Sequence, residues 1–232
     1  KRFPMKLKDY VLSFAAPSGE QAKQEDKEEK EGAKERETGY LRGWTYEHHA
    51  PVLMQDFQVP GFAKDWFEKL PKKEEPMFRW IFCGPSGSRT PLHVDPCMTH
   101  AWLAQIRGRK RFVLYSPSDL RHLYDAAGAC VDIRNPDRAR YPTFDLAVPY
   151  EVVLSPGDVL LVPAGWAHLV ECVDDSISLT HNFLPKDNFP AVRACLLANR
   201  LGKAVQQREK QQRDDDSEEG GGSENSHVDR DK

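Results

Sequence analysis

The sequence predicts a mainly β fold with flanking α-helices, either a barrel or a double-sheet jelly roll. Residues 150–154, 159–162, 168–173 and 176–183 read as short strands. They are separated by Ser155-Pro156-Gly157-Asp158, Pro163-Ala164-Gly165-Trp166 and Asp174-Asp175. Short strands with Gly/Pro turns at this spacing are the signature of such folds. Residues 101–106 and 110–115 flank a turn at Arg107-Gly108-Arg109 and alternate in polarity, with Lys110, Phe112 and Leu114 on one face. Helical periodicity is confined mainly to the two ends.

Taken in order, residues 1–16 form an N-terminal helix, with Leu7, Tyr10, Val11 and Phe14 at helical spacing. Residues 17–38 form a charged low-complexity insertion dominated by Lys and Glu, which cannot bury surface. Residues 39–206 make the core and its C-terminal helix. Within it, 60–70 reads as a short helix and 78–83 as a strand ending at Gly84-Pro85. Residues 125–148 read as an irregular excursion of the kind that often carries function. The helix spans 188 to about 207, and its apolar stripe of Val192, Cys195, Leu196, Leu201 and Val205 serves to cover the sheet or to join a homodimer. Residues 207–232 are an acidic, Gly-rich tail expected to be disordered.

Composition narrows the function classes. The 232 residues suffice for one domain with appendages, and the net charge of −3 argues against nucleic acid as the main partner. Five cysteines without a Cys-x-x-Cys pair indicate neither a disulfide framework nor a cysteine zinc site. Reduced thiols fit a nuclear or cytoplasmic protein. No apolar stretch reaches the roughly 20 residues that span a bilayer, so no membrane partner is expected. Gly84 to Thr90 lacks the Gly-Lys pair of a phosphate loop, and there is no Gly-x-Ser-x-Gly elbow.

The chemistry centres on Thr90-Pro91-Leu92-His93-Val94-Asp95-Pro96. In an extended run, His93 and Asp95 point the same way and offer a nitrogen and a carboxylate to one point. A second His completes the two-His, one-carboxylate set of non-haem iron(II) oxygenases. Among the other histidines, His168 is best placed, opening a strand just after a Pro/Gly turn. His181, inside a strand, is a weaker rival, and His100 sits at a strand edge.

These motifs resemble the Jumonji-C family. The resemblance rests on Phe78-Arg79-Trp80-Ile81, Gly84-Pro85, His93-x-Asp95-Pro96, Ala101-Trp102 and Gly108-x-Lys110-Arg111. It continues through Gly157-Asp158-Val159, Val162-Pro163-x-Gly165-Trp166-x-His168 and Thr180-x-Asn182-Phe183. It is nearest the phosphatidylserine-receptor-like branch, described as arginine demethylases and lysyl hydroxylases. The resemblance implies a double-stranded β-helix (jelly roll, or cupin) and a dioxygenase using Fe(II), 2-oxoglutarate and molecular oxygen. Such an enzyme hydroxylates or demethylates a protein or peptide side chain, histones among the candidates. By motif match, His93, Asp95 and His168 would be the catalytic iron ligands. Lys110 and Thr180 would hold the distal carboxylate of 2-oxoglutarate, and Thr90 and Asn182 would lie in the same pocket. One position departs from the branch: where an Asn helps bind the co-substrate, this chain has Leu103. That departure motivates a second reading, a catalytically weak Jumonji-like module that binds a protein partner.

Overall fold

The computed structural model describes residues 39–71 and 76–219. The N-terminal helix, the charged insertion and the end of the tail lie outside the described residues.

Among the described residues, nine strands build two facing antiparallel sheets. They are β1 (Leu41–Trp44), β2 (Arg79–Gly84), β3 (Arg89–Val94), β4 (His100–Arg107), β5 (Lys110–Tyr115), β6 (Tyr150–Leu154), β7 (Val159–Val162), β8 (Ala167–Cys172) and β9 (Ser176–Phe183). The five-stranded sheet runs β1-β2-β9-β4-β7 and the four-stranded sheet β3-β8-β5-β6. Consecutive strands thus alternate between sheets for most of the chain, which is the double-sheet jelly-roll solution and not a simple up-and-down barrel. Strands β2, β4 and β8 exceed the expected bounds by a residue or shift by one, as strand ends commonly do.

The alternation of side chains sorts the core into three layers. Between the sheets lie Ala101, Leu103, Phe112, Leu114, Leu154, Val162 and Val170. The outer face of the five-stranded sheet, with Trp102, Leu179 and Phe183, is covered by Tyr46 and Ala63. Tyr46 belongs to the single-turn helix α1 (Tyr46–His49). The outer face of the four-stranded sheet, with Leu92, Val113, Tyr115, Ala167 and Leu169, is covered by Leu123, Val131 and Tyr141. Leu123 ends the short helix α2 (Leu120–Leu123).

One expected element is corrected. The helix expected over 60–70 is only a 3-10 turn at Phe67–Lys69. Its backbone bonds instead to the end of β9: the Trp66 N–H donates to the Leu184 carbonyl at 2.8 Å. The Asp65 carboxylate accepts the N–H groups of Phe67 and Leu184 at 3.0 Å each. The 125–148 excursion is irregular but anchored, since its apolar residues cover a sheet face. Arg140 donates to Asp125 at 2.7 Å and the Tyr141 hydroxyl to the Ala129 carbonyl at 3.1 Å.

Packing divides the chain between Lys186 and Asp187. The second unit holds the long helix α3 (Phe189–Glu219). This helix passes residue 207 and continues through Asp214-Asp215-Asp216, where a disordered tail was expected. No Gly or Pro interrupts the sequence between Gly202 and Gly220, and Gln, Arg, Lys and Glu are good helix formers. Among the described residues no helix is long and apolar enough to cross a membrane.

Candidate metal and co-substrate site

β3 and β8 are neighbours in the four-stranded sheet, and His93 lies directly opposite His168. Antiparallel pairing therefore joins two residues far apart in sequence, their ring centroids 4.2 Å apart. Asp95 follows β3 and places Oδ1 3.8 Å from His93 Nε2 and 4.0 Å from His168 Nε2. The three ligand atoms lie within 4.8 Å of one another, and among the described residues no other cluster of at least three His, Cys, Asp or Glu could hold a metal ion.

The backbone aims both rings. His93 Nδ1 lies 2.9 Å from the Pro91 carbonyl, and His168 Nδ1 lies 3.2 Å from the Trp166 carbonyl. A carbonyl only accepts, so each Nδ1 carries a proton, which leaves Nε2 as the atom through which either ring could take a metal. Burial pushes the pKa of His168 down, against the opposing pull of Asp95. A neutral imidazole is the form that ligates.

The pairing of β3 with β8 shifts register between Thr90 and His93. Residues three apart in a regular strand face opposite ways, but this irregularity returns both to the interior. Pro91 is tolerated because β3 is an edge strand.

The ligand cluster opens on a pocket between the sheets, lined by Thr90, Leu103, Lys110, Thr180 and Asn182 among others. His93, Asp95, His168, Lys110, Thr180, Thr90 and Asn182, the site residues that the resemblance implies, all line it. Lys110 lies opposite Cys172 on β8, four residues from His168, or roughly 13 Å along the strand. Its side chain is 1% exposed, and its ammonium donates to the Ser178 hydroxyl at 2.6 Å. Burial lowers its pKa to about 8. The rings of Tyr40 and Phe82 sit 5.8 and 5.5 Å from the ammonium. Gly84 makes room for Tyr40, whose ring occupies the space a Cβ would need.

Ser178, Tyr40, Trp80 and Phe82 were not singled out in the sequence. Ser178 was findable, because Ser178, Thr180 and Asn182 share one face of β9 by simple alternation. Tyr40 carries no local signal, since only tertiary packing brings it over Lys110. His181, the rival histidine, faces the opposite way. Its Nε2 lies 3.2 Å from Asp65 Oδ2 and 3.1 Å from Arg79 Nε. The basic run near Lys110 is also accounted for: Arg109 pairs with Asp174 and Arg111 with Glu151, each at 2.7 Å.

The donor set fits an iron ion and a dicarboxylate. Two imidazoles and a carboxylate suit non-haem iron(II). Asp95 Oδ2 and Thr180 Oγ1 are buried with no protein hydrogen-bond partner, and both residues line the pocket. A buried ammonium held by one neutral hydroxyl favours an anion beside it.

A jelly roll with a His-Asp-His cluster at its interior defines a cupin-type protein. The cupin-like domain family matches residues 4–189, and the chain belongs to it. The Jumonji-C resemblance is borne out by the relatives. One is an Arabidopsis thaliana protein named lysine-specific demethylase JMJ21, 38% identical over 60% of this chain and 16% of its own length. Another is a Gallus gallus protein named 2-oxoglutarate and iron-dependent oxygenase JMJD4, 33% identical over 73% of this chain and 41% of its own length. A third is a Caenorhabditis elegans protein named bifunctional arginine demethylase and lysyl-hydroxylase psr-1, 33% identical over 60% of this chain and 38% of its own length. The chain thus spans less than half the length of these relatives.

Proposed function

We propose that this chain is the oxygenase domain of an Fe(II)- and 2-oxoglutarate-dependent protein hydroxylase or N-methyl demethylase. One observation carries the reading: a His-Asp-His cluster shares a pocket with a buried lysine ammonium. His93, Asp95 and His168 would hold the metal through Nε2, a carboxylate oxygen and Nε2. Lys110 and Thr180 would hold the distal carboxylate of the co-substrate, with Tyr40 and Phe82 walling that end. Iron with 2-oxoglutarate and oxygen supplies oxidation of a C–H bond coupled to decarboxylation of the co-substrate to succinate. The chain's own part is orientation and exclusion of water. The strands fix three ligands on one side of the metal, and the apolar walls of Leu103, Phe112, Val162 and Val170 keep the pocket dry.

The substrate is proposed to be a lysyl or arginyl side chain of a protein, histones included, in the nucleus or cytoplasm. The activities in the names of the relatives support that class, and the ion-paired arginines around Lys110 disfavour nucleic acid. The deciding experiment is succinate release from 2-oxoglutarate by the iron(II)-loaded protein, compared with His93→Ala. No succinate above the His93→Ala background, with metal shown to be bound to the wild type, would sink the enzyme reading. Mass spectrometry of treated peptides then separates the two chemistries: a gain of one oxygen is hydroxylation and a loss of one methylene is demethylation.

A further inference from the structure

Asn182 is oriented by a residue that neither touches the ligand cluster nor lines the pocket. Thr99 is fully buried, at 0% exposure, and Asn182 is 1% exposed. The Thr99 hydroxyl lies 2.8 Å from the Pro96 carbonyl. That carbonyl can only accept, so the hydroxyl proton is committed to it. The hydroxyl oxygen then has only lone pairs for Asn182, and it accepts from Asn182 Nδ2 at 3.0 Å. Turning the amide over would leave two acceptors competing for one hydroxyl proton. The NH₂ end of Asn182 therefore faces Thr99.

The other end of the amide is Oδ1. It is buried, has no protein hydrogen-bond partner, and belongs to a residue lining the pocket that holds the His-Asp-His cluster. A carbonyl oxygen accepts and does not donate. It suits a water on the metal, whose O–H groups are sharpened as donors by the ion, and it is a poor partner for a carboxylate. We infer that Thr99 is a positioning residue that turns the Asn182 amide so that its carbonyl oxygen accepts a hydrogen bond from a metal-bound water. The inference rests on the proposed metal site and assigns Asn182 a role toward the metal's water in place of the co-substrate carboxylate.

A purely structural role for Thr99 is the competing account. Thr99 also closes the turn after Asp95: its N–H lies 3.2 Å from the Pro96 carbonyl. Cys97 and Met98 inside that turn both take left-handed backbone angles, φ 55° and 56°. Such angles are costly for residues with a Cβ. Loss of the Thr99 hydroxyl could therefore loosen Asp95 directly, with Asn182 a bystander.

A double-mutant cycle on metal affinity separates the two accounts. Cobalt(II) binding without co-substrate is measured by visible absorption against a competing chelator, for wild type, Thr99→Val, Thr99→Ser, Asn182→Leu and the double variant Thr99→Val/Asn182→Leu. Support for the inference is a loss of roughly tenfold, the lower range for partners of metal-site groups, in both Thr99→Val and Asn182→Leu. The double variant must be no worse than either single one, and Thr99→Ser must bind as wild type. Saturating 2-oxoglutarate, which replaces bound water, must narrow the difference. Wild-type affinity in Asn182→Leu overturns the inference whether or not Thr99→Val folds, and so do losses that add in the double variant. A wild type that binds cobalt no better than His93→Ala overturns the metal site itself, and the inference with it.

Discussion

Lys110 is the side chain whose environment is most at odds with its chemistry. Its pKa falls from 10.5 to about 8 because burial penalises the ammonium. The sign for stability follows from linkage. Below about pH 8 the lysine is charged in both states, and the ligand-free fold carries the full penalty. Between about pH 8 and pH 10.5 only the unfolded chain holds the proton, so stability rises with pH. Urea titrations of the ligand-free protein are expected to show that rise, and Lys110→Met is expected to lose it. At pH 7 Lys110→Met should be more stable by about 1–3 kcal/mol, because an apolar chain of similar length replaces a buried charge. Binding has the opposite dependence, since a carboxylate needs the ammonium. Calorimetry with the metal-loaded protein should show 2-oxoglutarate affinity constant below about pH 8 and falling above it, and Lys110→Met should abolish binding. Leu103 departs from the branch pattern at a site where Thr180 is its cross-strand neighbour. The unpartnered Thr180 hydroxyl is the polar group available on that wall.

At the scale of elements, the sheets hold the site because turns and anchors set their register. Gly108 lies between β4 and β5 with φ +65°, and an added Cβ would overlap the Asp175 carbonyl oxygen. Gly108→Ala is therefore expected to cost about 2 kcal/mol or more, read as a lower urea midpoint at unchanged slope. It should also weaken 2-oxoglutarate binding, because Lys110 begins the strand that this turn delivers. On the outer face, Asp65 ties the segment before β2 to β9. Burial alone would raise its carboxyl pKa, but hydrogen bonds from His181 and from the Leu184 and Phe67 N–H groups hold it below the usual value. Its contribution is present above the unfolded pKa of about 3.8 and is lost as pH falls through the depressed folded value. Asp65→Ala leaves His181 and two backbone N–H groups without their acceptor. It should cost roughly 3 kcal/mol, measured by thermal or urea unfolding at neutral pH. Arg79 completes this cluster, pairing with Glu47 and Glu68.

For the whole molecule, ligand binding and folding are one equilibrium. A metal and a dicarboxylate that bind only the folded jelly roll should stabilise it by mass action, about 2.7 kcal/mol at a hundredfold excess over the dissociation constant. The melting temperature should rise with added 2-oxoglutarate when metal is present, and His93→Ala should remove the metal-dependent part. A catalytically weak module that does not bind the co-substrate would show no shift. Much of the architecture was legible beforehand. The strands at 110–115, 150–154, 159–162 and 176–183 were read with the bounds they have, because alternation and Gly/Pro turns are local signals. The short β1 and the failed helix at 60–70 were not, because their backbone groups bond to distant strands. The full length of α3 was missed because its polar sequence reads equally as solvated helix or as tail.

The sequence by itself determined the side-chain types of the candidate site: the His-x-Asp pair, a turn-anchored His168, and a lysine alternating with apolar neighbours. All of these are set by residue type and short spacing. Only the tertiary structure decided which atoms converge. The pairing of β3 with β8 sets His93 opposite His168, and the register shift turns Thr90 inward beside it. Packing of β9 gives Lys110 the Ser178 hydroxyl and turns His181 outward to Asp65. Thr99 accepts from the NH₂ end of the Asn182 amide. Those partners lie tens of residues apart or more, and side-chain direction across a sheet depends on register, which no local pattern encodes.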